Sequence, residues 1–339
     1  MMGVRRQNAR KPLIIPGIFV KKNTVFPNVK ILRNTGRCPE KGVPMSILHD
    51  FHMHSSFSAD SEAPMEQMVL SAGALGLKGI CFTEHMDADY PPEYENFEAD
   101  PSAILKEISR LRPLYDPRFR SINPESGESC GSGRYPDSAD VSVEIGFGLE
   151  LGMQSHLPER YEKLARDWPF DFLTASQHLT LKKDPYYPEV WKDRSAKEII
   201  GCYYEELYDN IKEMKEWDTL SHLDYIIRYI PGRQESVYDS LAFHREIIAA
   251  ILEYVIAQGK CLEVNSAGIR HGLGQPNPAP SILMLYRDLG GEQITIGSDA
   301  HMPEHIALGF RETEELLLRC GFSAYTVFYS RMPHTVPLL

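Results

Sequence analysis

Short apolar runs alternate with longer amphipathic segments from about residue 45 to the C-terminus. The apolar runs have the length and composition of buried β-strands, which are bounded by turn residues. They predict seven strands, at residues 47–51, 79–83, 143–149, 170–175, 219–221, 261–264 and 293–296.

The segments between these strands predict helices, because their apolar residues recur at helical spacing and their ends carry capping residues. Asp100 followed by Pro101 opens one helix, and the S-x-x-E capping box from Ser195 to Glu198 opens another. Further helices are predicted at 62–75, 241–257 and 280–289. Such alternation predicts parallel β/α units closing into a barrel. A doubly wound open sheet is the alternative, but the chain lacks G-x-G-x-x-G and G-K-[ST] loops.

The composition is that of a globular protein, with 339 residues, 42% hydrophobic and 24% charged. It excludes collagen-like, disordered and multi-span membrane proteins, and no apolar run approaches the roughly 20 residues of a membrane span. The net charge of −11 argues against a nucleic-acid partner held by phosphate neutralisation. The six cysteines are scattered without a C-x-x-C pair, which predicts free thiols and a cytoplasmic enzyme.

Two segments differ from the rest. Residues 1–44 contain ten basic side chains and one acidic one, without helical periodicity. We expect a disordered basic leader or a start codon assigned too early, rather than a transit peptide. Half of the twenty residues 121–140 are Ser, Gly or Pro, which predicts a flexible insertion. The remaining residues, 45–339, are expected to form one barrel domain.

Six of the seven predicted strands end in His, Asp or Glu. The first strand runs into D-F-H-M-H at residues 50–54, where His52 and His54 project from the same face and can bind one metal ion together. Asp60 follows in the next loop. The other strand ends supply His85, Glu150, His178, His222, Asp299 and His301, whereas the sixth ends at 263–266 without an obvious ligand.

The C-terminal ends of the strands in a β/α barrel meet at one rim, where catalytic groups gather. Any one of these histidines could equally be a helix cap or a polar rim residue. Together they predict a metal site, and imidazole and carboxylate ligands without thiolate suit Zn, Mn or Fe. His49 lies off this face and is expected to be structural. Glu84 either orients His85 or faces solvent.

With these motifs assembled, the chain resembles the PHP (polymerase and histidinol phosphatase) superfamily. The resemblance runs from about residue 45 to the C-terminus outside the insertion. It is carried by residues 50–54, 83–85, 148–150, 176–178, 221–224 and 298–301. Within the superfamily, the segments 148–152, 221–229 and 263–270 are most similar to monofunctional histidinol-phosphatases.

The resemblance implies a distorted seven-stranded (β/α)7 TIM-like barrel with up to three metal ions at the strand C-termini. His52, His54, Glu150 and Asp299 would hold one ion, and Glu150 would bridge to a second that His178 and His222 also bind. Asp60, His85 and His301 would hold a third. Glu150, Asp299 and His301 are the candidate catalytic residues of this set.

The implied reaction is hydrolysis of L-histidinol phosphate to L-histidinol and phosphate in histidine biosynthesis. Two to three divalent cations suit it, because they neutralise the phosphate dianion and activate hydroxide near neutral pH. Arg228 and Arg270, on loops of the rim, would bind the substrate phosphate bidentately, or they are solvated surface charges. The partner is thus a small phosphomonoester, not a nucleic acid or a membrane.

Two other functions remain open. The first is a phosphoesterase of the same superfamily acting on another monoester, a phosphotyrosine or a nucleotide. The second is a metal-stabilised barrel that serves as a binding module, which the complete set of nine candidate ligands disfavours.

Overall fold

The computed structural model describes residues 46–120, 141–232 and 238–339. Within them seven parallel strands form one sheet in sequence order. They are β1 (His49–Met53), β2 (Gly79–Met86), β3 (Glu144–Gly152), β4 (Phe172–Ser176), β5 (Thr219–Leu220), β6 (Cys261–Asn265) and β7 (Ile294–Gly297). The predictions for the leader 1–44 and for the insertion 121–140 lie outside the described residues.

The sheet curls so that its first and last strands meet. The His54 amide donates to the Ala300 carbonyl and the Asp299 amide to the His52 carbonyl, both at 2.8 Å. A parallel bridge between Met53 and Ala300 lies beside them. The result is a nearly closed (β/α)7 barrel, which confirms the predicted fold class and excludes the doubly wound sheet.

In the described ranges, seven α-helices connect the strands and cover the barrel. They are α1 (Met65–Ala74), α2 (Pro101–Tyr115), α3 (Pro158–Asp167), α4 (Ala196–Glu213), α5 (Ser240–Ala257), α6 (Pro280–Asp288) and α7 (Phe310–Arg319). The predicted caps are present: Asp100 accepts from the Ser102 amide, and Ser195 with Glu198 forms the reciprocal capping box. None of the helices in the described part of the chain combines the length and apolar character that crossing a membrane requires.

A C-terminal hairpin was not predicted from the sequence. Strands β8 (Ala324–Tyr329) and β9 (Met332–Pro337) pair antiparallel outside the barrel sheet. The Tyr325 hydroxyl lies 2.7 Å from His49 Nδ1, and the Ser330 amide donates to Asp171. Because His49 opens β1 and Asp171 precedes β4, the hairpin covers the end of the barrel opposite the rim. We call this the closed end.

Candidate metal centre

The structure brings all nine predicted ligands together at the C-terminal rim. His52 lies in β1, and His85 and Glu150 face each other as register partners on β2 and β3. Residues just beyond the strand ends supply His54, Asp60, His178, His222, Asp299 and His301. Six of the nine are buried, His85 and His301 are partly buried, and Asp60 is exposed at the rim.

The burial of these side chains decreases from the floor of the rim to its edge. His85, His301 and Asp60 are the three with exposed surface, at 12%, 20% and 39% of the side chain. The fully buried ligands are His52, His54, Glu150, His178, His222 and Asp299.

Glu150 is the centre of the cluster. Its Oε1 lies 3.1 Å from His178 Nε2 and 2.8 Å from His222 Nε2. Its Oε2 lies 3.3 Å from His52 Nε2, 3.4 Å from His54 Nε2 and 3.2 Å from His85 Nδ1. Five imidazoles therefore surround one carboxylate, an arrangement suited to a carboxylate that bridges two cations.

Two further carboxylates flank this centre. Asp299 Oδ1 lies 3.5 Å from His54 Nε2 and 3.8 Å from His52 Nε2. Asp60 Oδ2 lies 3.0 Å from His301 Nε2 and 3.6 Å from His85 Nε2. The members of each set that the resemblance implied thus lie close together, although the sets overlap, since His85 also lies 3.2 Å from Glu150.

The potential ligand atoms form five overlapping groups, each with its atoms within 4.8 Å of one another. Four of these groups contain only predicted ligands. The fifth joins His85 and His178 to Asp87, a residue that was not predicted to bind metal.

Several buried nitrogen and oxygen atoms of the cluster have no hydrogen-bond partner among the described residues. They are His52 Nε2, His54 Nε2, His85 Nδ1, Asp87 Oδ2, Glu150 Oε2, His222 Nδ1 and His301 Nε2. A buried polar atom without a partner costs about 1–3 kcal/mol. Since most of these atoms point at one another across short gaps, the donor set fits divalent cations that would satisfy them.

The opposite nitrogen of three imidazoles is held in place. His52 Nδ1 lies 2.6 Å from Glu263 Oε1, His178 Nδ1 2.6 Å from Asp87 Oδ1, and His54 Nδ1 3.2 Å from Ser58 Oγ. Such contacts fix the ring orientation and leave Nε2 free to face the centre.

The pKa values of the cluster reflect crowding of charge in a buried site. Burial alone would raise the pKa of Glu150, but the charges of His52, His178 and His85 hold it well below its usual range. Burial would lower the pKa of His178, yet Asp87 and Glu150 raise it to about 10. Burial, together with the charges of His301 and His85, lowers the pKa of His54 to about 3. The raised pKa of His178 favours its protonated ring, so a cation that binds this imidazole would displace a proton.

Two buried carboxylates near the cluster were missed or misjudged from the sequence. The sixth strand was expected to end without an obvious ligand, and no role was predicted for its Glu263. This residue holds His52 Nδ1 and also accepts at Oε2 from the His222 amide at 2.9 Å, so it positions two histidines. The feature of the sequence that could have indicated this role is an acidic residue between Leu262 and Val264, which are both buried.

Glu84 was expected to orient His85 or to face solvent. It is fully buried and accepts from Ser55 and Ser58 instead.

Both candidate arginines lie at the cluster rather than on the open surface. Arg228 is buried and donates to Asn277 Oδ1 at 2.9 Å, to Asn265 Oδ1 at 3.1 Å and to Asp299 Oδ2 at 3.1 Å. Arg270 is partly buried and donates to the Asp299 carbonyl at 2.8 Å.

Close packing at the rim depends on glycine. A Cβ at Gly297 would lie 2.2 Å from His52 Cβ and 2.7 Å from Glu263 Oε1. No side chain can occupy this position without displacing His52 or its carboxylate partner.

The cluster forms the floor of a cavity of about 480 Å³, which both arginines also line. Its volume is in the range of small-molecule sites. The arrangement can therefore hold cations beneath a small anionic ligand.

Comparison with known proteins gives a consistent result. The family model described as the PHP domain matches residues 50–267. The histidinol-phosphatase of Lactococcus lactis subsp. lactis IL1403 is 28% identical over 285 residues, which cover 82% of this chain and 93% of that protein. A probable histidinol-phosphatase of Thermotoga maritima is 29% identical over 280 residues, covering 82% and 94%.

Among solved structures, the chain is similar to histidinol phosphate phosphatase from Lactococcus lactis in complex with zinc, L-histidinol and phosphate. The TM-score is 0.71 at 27% identity, covering 85% of this chain and 99% of that one. A structure from Listeria monocytogenes has a TM-score of 0.59 at 17% identity and supports the fold alone.

Proposed function

The chain belongs to the PHP domain family, and from this premise we propose that it is a histidinol-phosphatase that hydrolyses L-histidinol phosphate to L-histidinol and phosphate. The observation that carries the proposal is the convergence of five imidazoles on Glu150, with unpaired buried ligand atoms, at the floor of a small-molecule cavity. Similar proteins that cover most of this chain are named for the same activity.

We propose that the centre holds two to three divalent cations, Zn, Mn or Fe. The first set is His52, His54, Glu150 and Asp299, the second is Glu150, His178 and His222, and the third is Asp60, His85 and His301. When bound, such cations offset the charge of a phosphate dianion and make water acidic enough to ionise near neutral pH. Glu150, Asp299 and His301 are catalytic in this scheme because they ligate the cations next to the cavity.

The protein's own side chains would hold the substrate phosphate over this floor. Arg270 presents its guanidinium to the cavity while it donates to the Asp299 carbonyl. Arg228 is more constrained, because three of its nitrogens already donate within the protein. Both arginines can offer remaining N–H groups to phosphate, and Arg228 also positions Asp299.

We place the enzyme in a reducing compartment such as the cytoplasm. Cys81, Cys202, Cys261 and Cys320 are all free thiols in the described part of the chain. Persistent free thiols are typical of that environment.

The test is a panel of phosphomonoesters assayed by initial rates, with metal content measured on the same sample. The panel contains L-histidinol phosphate, p-nitrophenyl phosphate, a phosphotyrosine peptide and a nucleotide 3′,5′-bisphosphate. We expect L-histidinol phosphate to give the highest kcat/KM, with two to three metal equivalents per chain. A wide preference for the phosphotyrosine peptide or the nucleotide would reject this substrate and leave a phosphoesterase of the same family.

A further inference from the structure

Aromatic rings surround the cavity above the metal centre. They come from the loop after β2, the loop after β4 and the short helix Tyr225–Tyr229 after β5. The rings that line the cavity are Tyr90, Phe97, Tyr186, Tyr187, Tyr225 and Tyr229. None of them has a role in the reaction described above.

On one side of the cavity, the first aromatic ring contacts the candidate metal ligand His85. The Phe97 ring lies 5.3 Å from His85 and 5.2 Å from Tyr90, measured between ring centroids. Tyr94 lies 5.8 Å from Tyr90 and stacks on Tyr187 at 4.4 Å with an interplanar angle of 10°.

On the other side of the cavity, the last aromatic ring contacts the candidate metal ligand His178. Tyr186 lies 5.1 Å from Tyr187 and 5.9 Å from Tyr229. Tyr229 lies 5.1 Å from Tyr225, and Tyr225 lies 5.4 Å from His178. The contacts therefore form a continuous aromatic wall from His85 to His178 around the cavity.

Within this wall, Asp184 and Glu95 are the described carboxylates that line the cavity apart from those of the metal centre and Asp87. Glu95 is exposed, whereas Asp184 is partly buried. The Tyr186 amide donates to Asp184 Oδ1 at 2.8 Å, and the Tyr90 hydroxyl also bonds to this carboxyl. Burial raises the pKa of Asp184, which indicates a carboxylate that would gain from a cationic partner.

We infer that Asp184 and the tyrosines around it bind the cationic alcohol portion of the substrate and so determine specificity. This inference rests on the proposed function. With the phosphate over the metal centre, the rest of the substrate extends into the aromatic part of the cavity. L-Histidinol carries a primary ammonium and a flat imidazole. A carboxylate binds the first by a charge-assisted hydrogen bond, and tyrosine faces bind both by cation–π and stacking contacts.

The test compares two substrates in the wild-type holoenzyme and in variants. Asp184→Asn should lower kcat/KM for L-histidinol phosphate about 10- to 100-fold. For p-nitrophenyl phosphate, whose aryl group carries no cationic group, kcat/KM should stay within about twofold. The loss should fall mainly on KM, with metal content unchanged, and Asp184→Glu should restore part of it. Glu189→Gln is the matched control, because it removes an exposed carboxylate from the same loop and should leave both substrates unaffected.

Two failures are distinguishable. A wild-type enzyme that does not prefer L-histidinol phosphate rejects the proposed function and this inference with it. A wild type that prefers L-histidinol phosphate, but whose preference survives in Asp184→Asn, rejects the inference alone. Equal losses on both substrates would also reject it, because they would show that Asp184 supports the structure of the site and not the choice of substrate.

Discussion

At both ends of the barrel, carboxylates are buried beside basic side chains. The carboxylates of the closed end find their hydrogen-bond partners inside the protein, whereas the rim leaves some ligand atoms without one in the described part of the chain. Asp116 is fully buried at the closed end and accepts from the Ile145 amide at 2.8 Å and from the Arg118 side chain at 2.7 Å. Asp171 accepts in the same way from the Phe147 amide and from Arg112. At the rim, Glu150 Oε2 and His54 Nε2 are buried without a hydrogen bond among the described residues.

The difference separates polar groups that support the fold from polar groups kept for ligands. Backbone amides and arginines satisfy the closed-end carboxylates, so these residues need nothing from outside the chain. The rim keeps donor atoms unpaired at a cost to stability, which is characteristic of sites built for function. Mutations at the two ends should therefore affect different properties.

The largest effect is expected from removing a rim ligand. His178→Ala should lose metal and activity together, by more than about 100-fold, because even partners that only orient ligands contribute about 10- to 100-fold. Chelation of the wild type should give the same loss, reversible on adding metal. His156→Ala is the control, since that side chain is exposed and pairs only with Asp89. Full activity in protein shown by elemental analysis to be metal-free would contradict the rim assignment.

At the closed end, Asp116→Ala should act on stability instead. Removing one partner of a buried ion pair costs about 3–5 kcal/mol, and we expect the lower value because Arg118 is 29% exposed. Urea unfolding of the holoenzyme measures this, with kcat per folded molecule and metal content expected to stay unchanged. Asp167→Ala, which breaks only an exposed pair with Lys163, should change the free energy of unfolding by less than about 0.5 kcal/mol. A drop in metal content in Asp116→Ala would show that the two ends are coupled.

The rim arginines are an intermediate case, because their loss should lower kcat/KM more than metal content. Arg270→Ala is expected to lower kcat/KM on the preferred substrate about 30- to 1000-fold, equivalent to about 2–4 kcal/mol, with metals retained. Arg228→Ala should also lower metal content, because Asp299 loses the guanidinium that holds it. Arg110→Ala removes an exposed arginine on α2 and serves as control. Near-normal kcat/KM in Arg270→Ala would show that the metals and the backbone bind the phosphate without this arginine.

The sequence predicted the rim better than the closed end, and the reason is physical. His52 and His54 stand two apart at the end of an apolar strand, so local periodicity alone places both on one face. Asp116 and Arg118 stand two residues apart, but both also bond to Ile145 on β3, 29 and 27 residues away, which no local pattern reveals. The hairpin β8–β9 was missed for a similar reason, because its contacts are with His49 and Asp171 at the far ends of other strands.

Within the site, the residues that bind were easier to predict than those that position them. Each candidate ligand lies in a recognisable strand or in the loop that follows it. Glu263 lies inside β6 between apolar neighbours, and only the packed barrel shows that it holds His52 and the His222 amide. Glu84 in β2 bonds to Ser55, and Asp184 in the loop after β4 bonds to Tyr90, so these roles depend likewise on residues distant in sequence.

The smallest expected effect concerns a histidine at the closed end. His49 is buried against Tyr325, and burial together with the charge of Lys78 lowers its pKa from 6.5 to about 4. The unfolded chain therefore takes up a proton at a higher pH than the folded one. The stability contributed by neutral His49 is present above pH 6.5 and is lost as the pH falls towards 4.

His49→Gln isolates this contribution, because glutamine can bond to the Tyr325 hydroxyl but does not titrate. The free energy of unfolding of the wild type relative to the variant should fall by about 2 kcal/mol between pH 7.5 and pH 5. Acid also protonates the rim histidines and releases metal, but that loss is common to both proteins and cancels in the difference. Urea unfolding at the two pH values measures it. If the difference between wild type and variant is the same at both pH values, His49 has the same pKa in the folded and unfolded states. That result would contradict the burial of this imidazole.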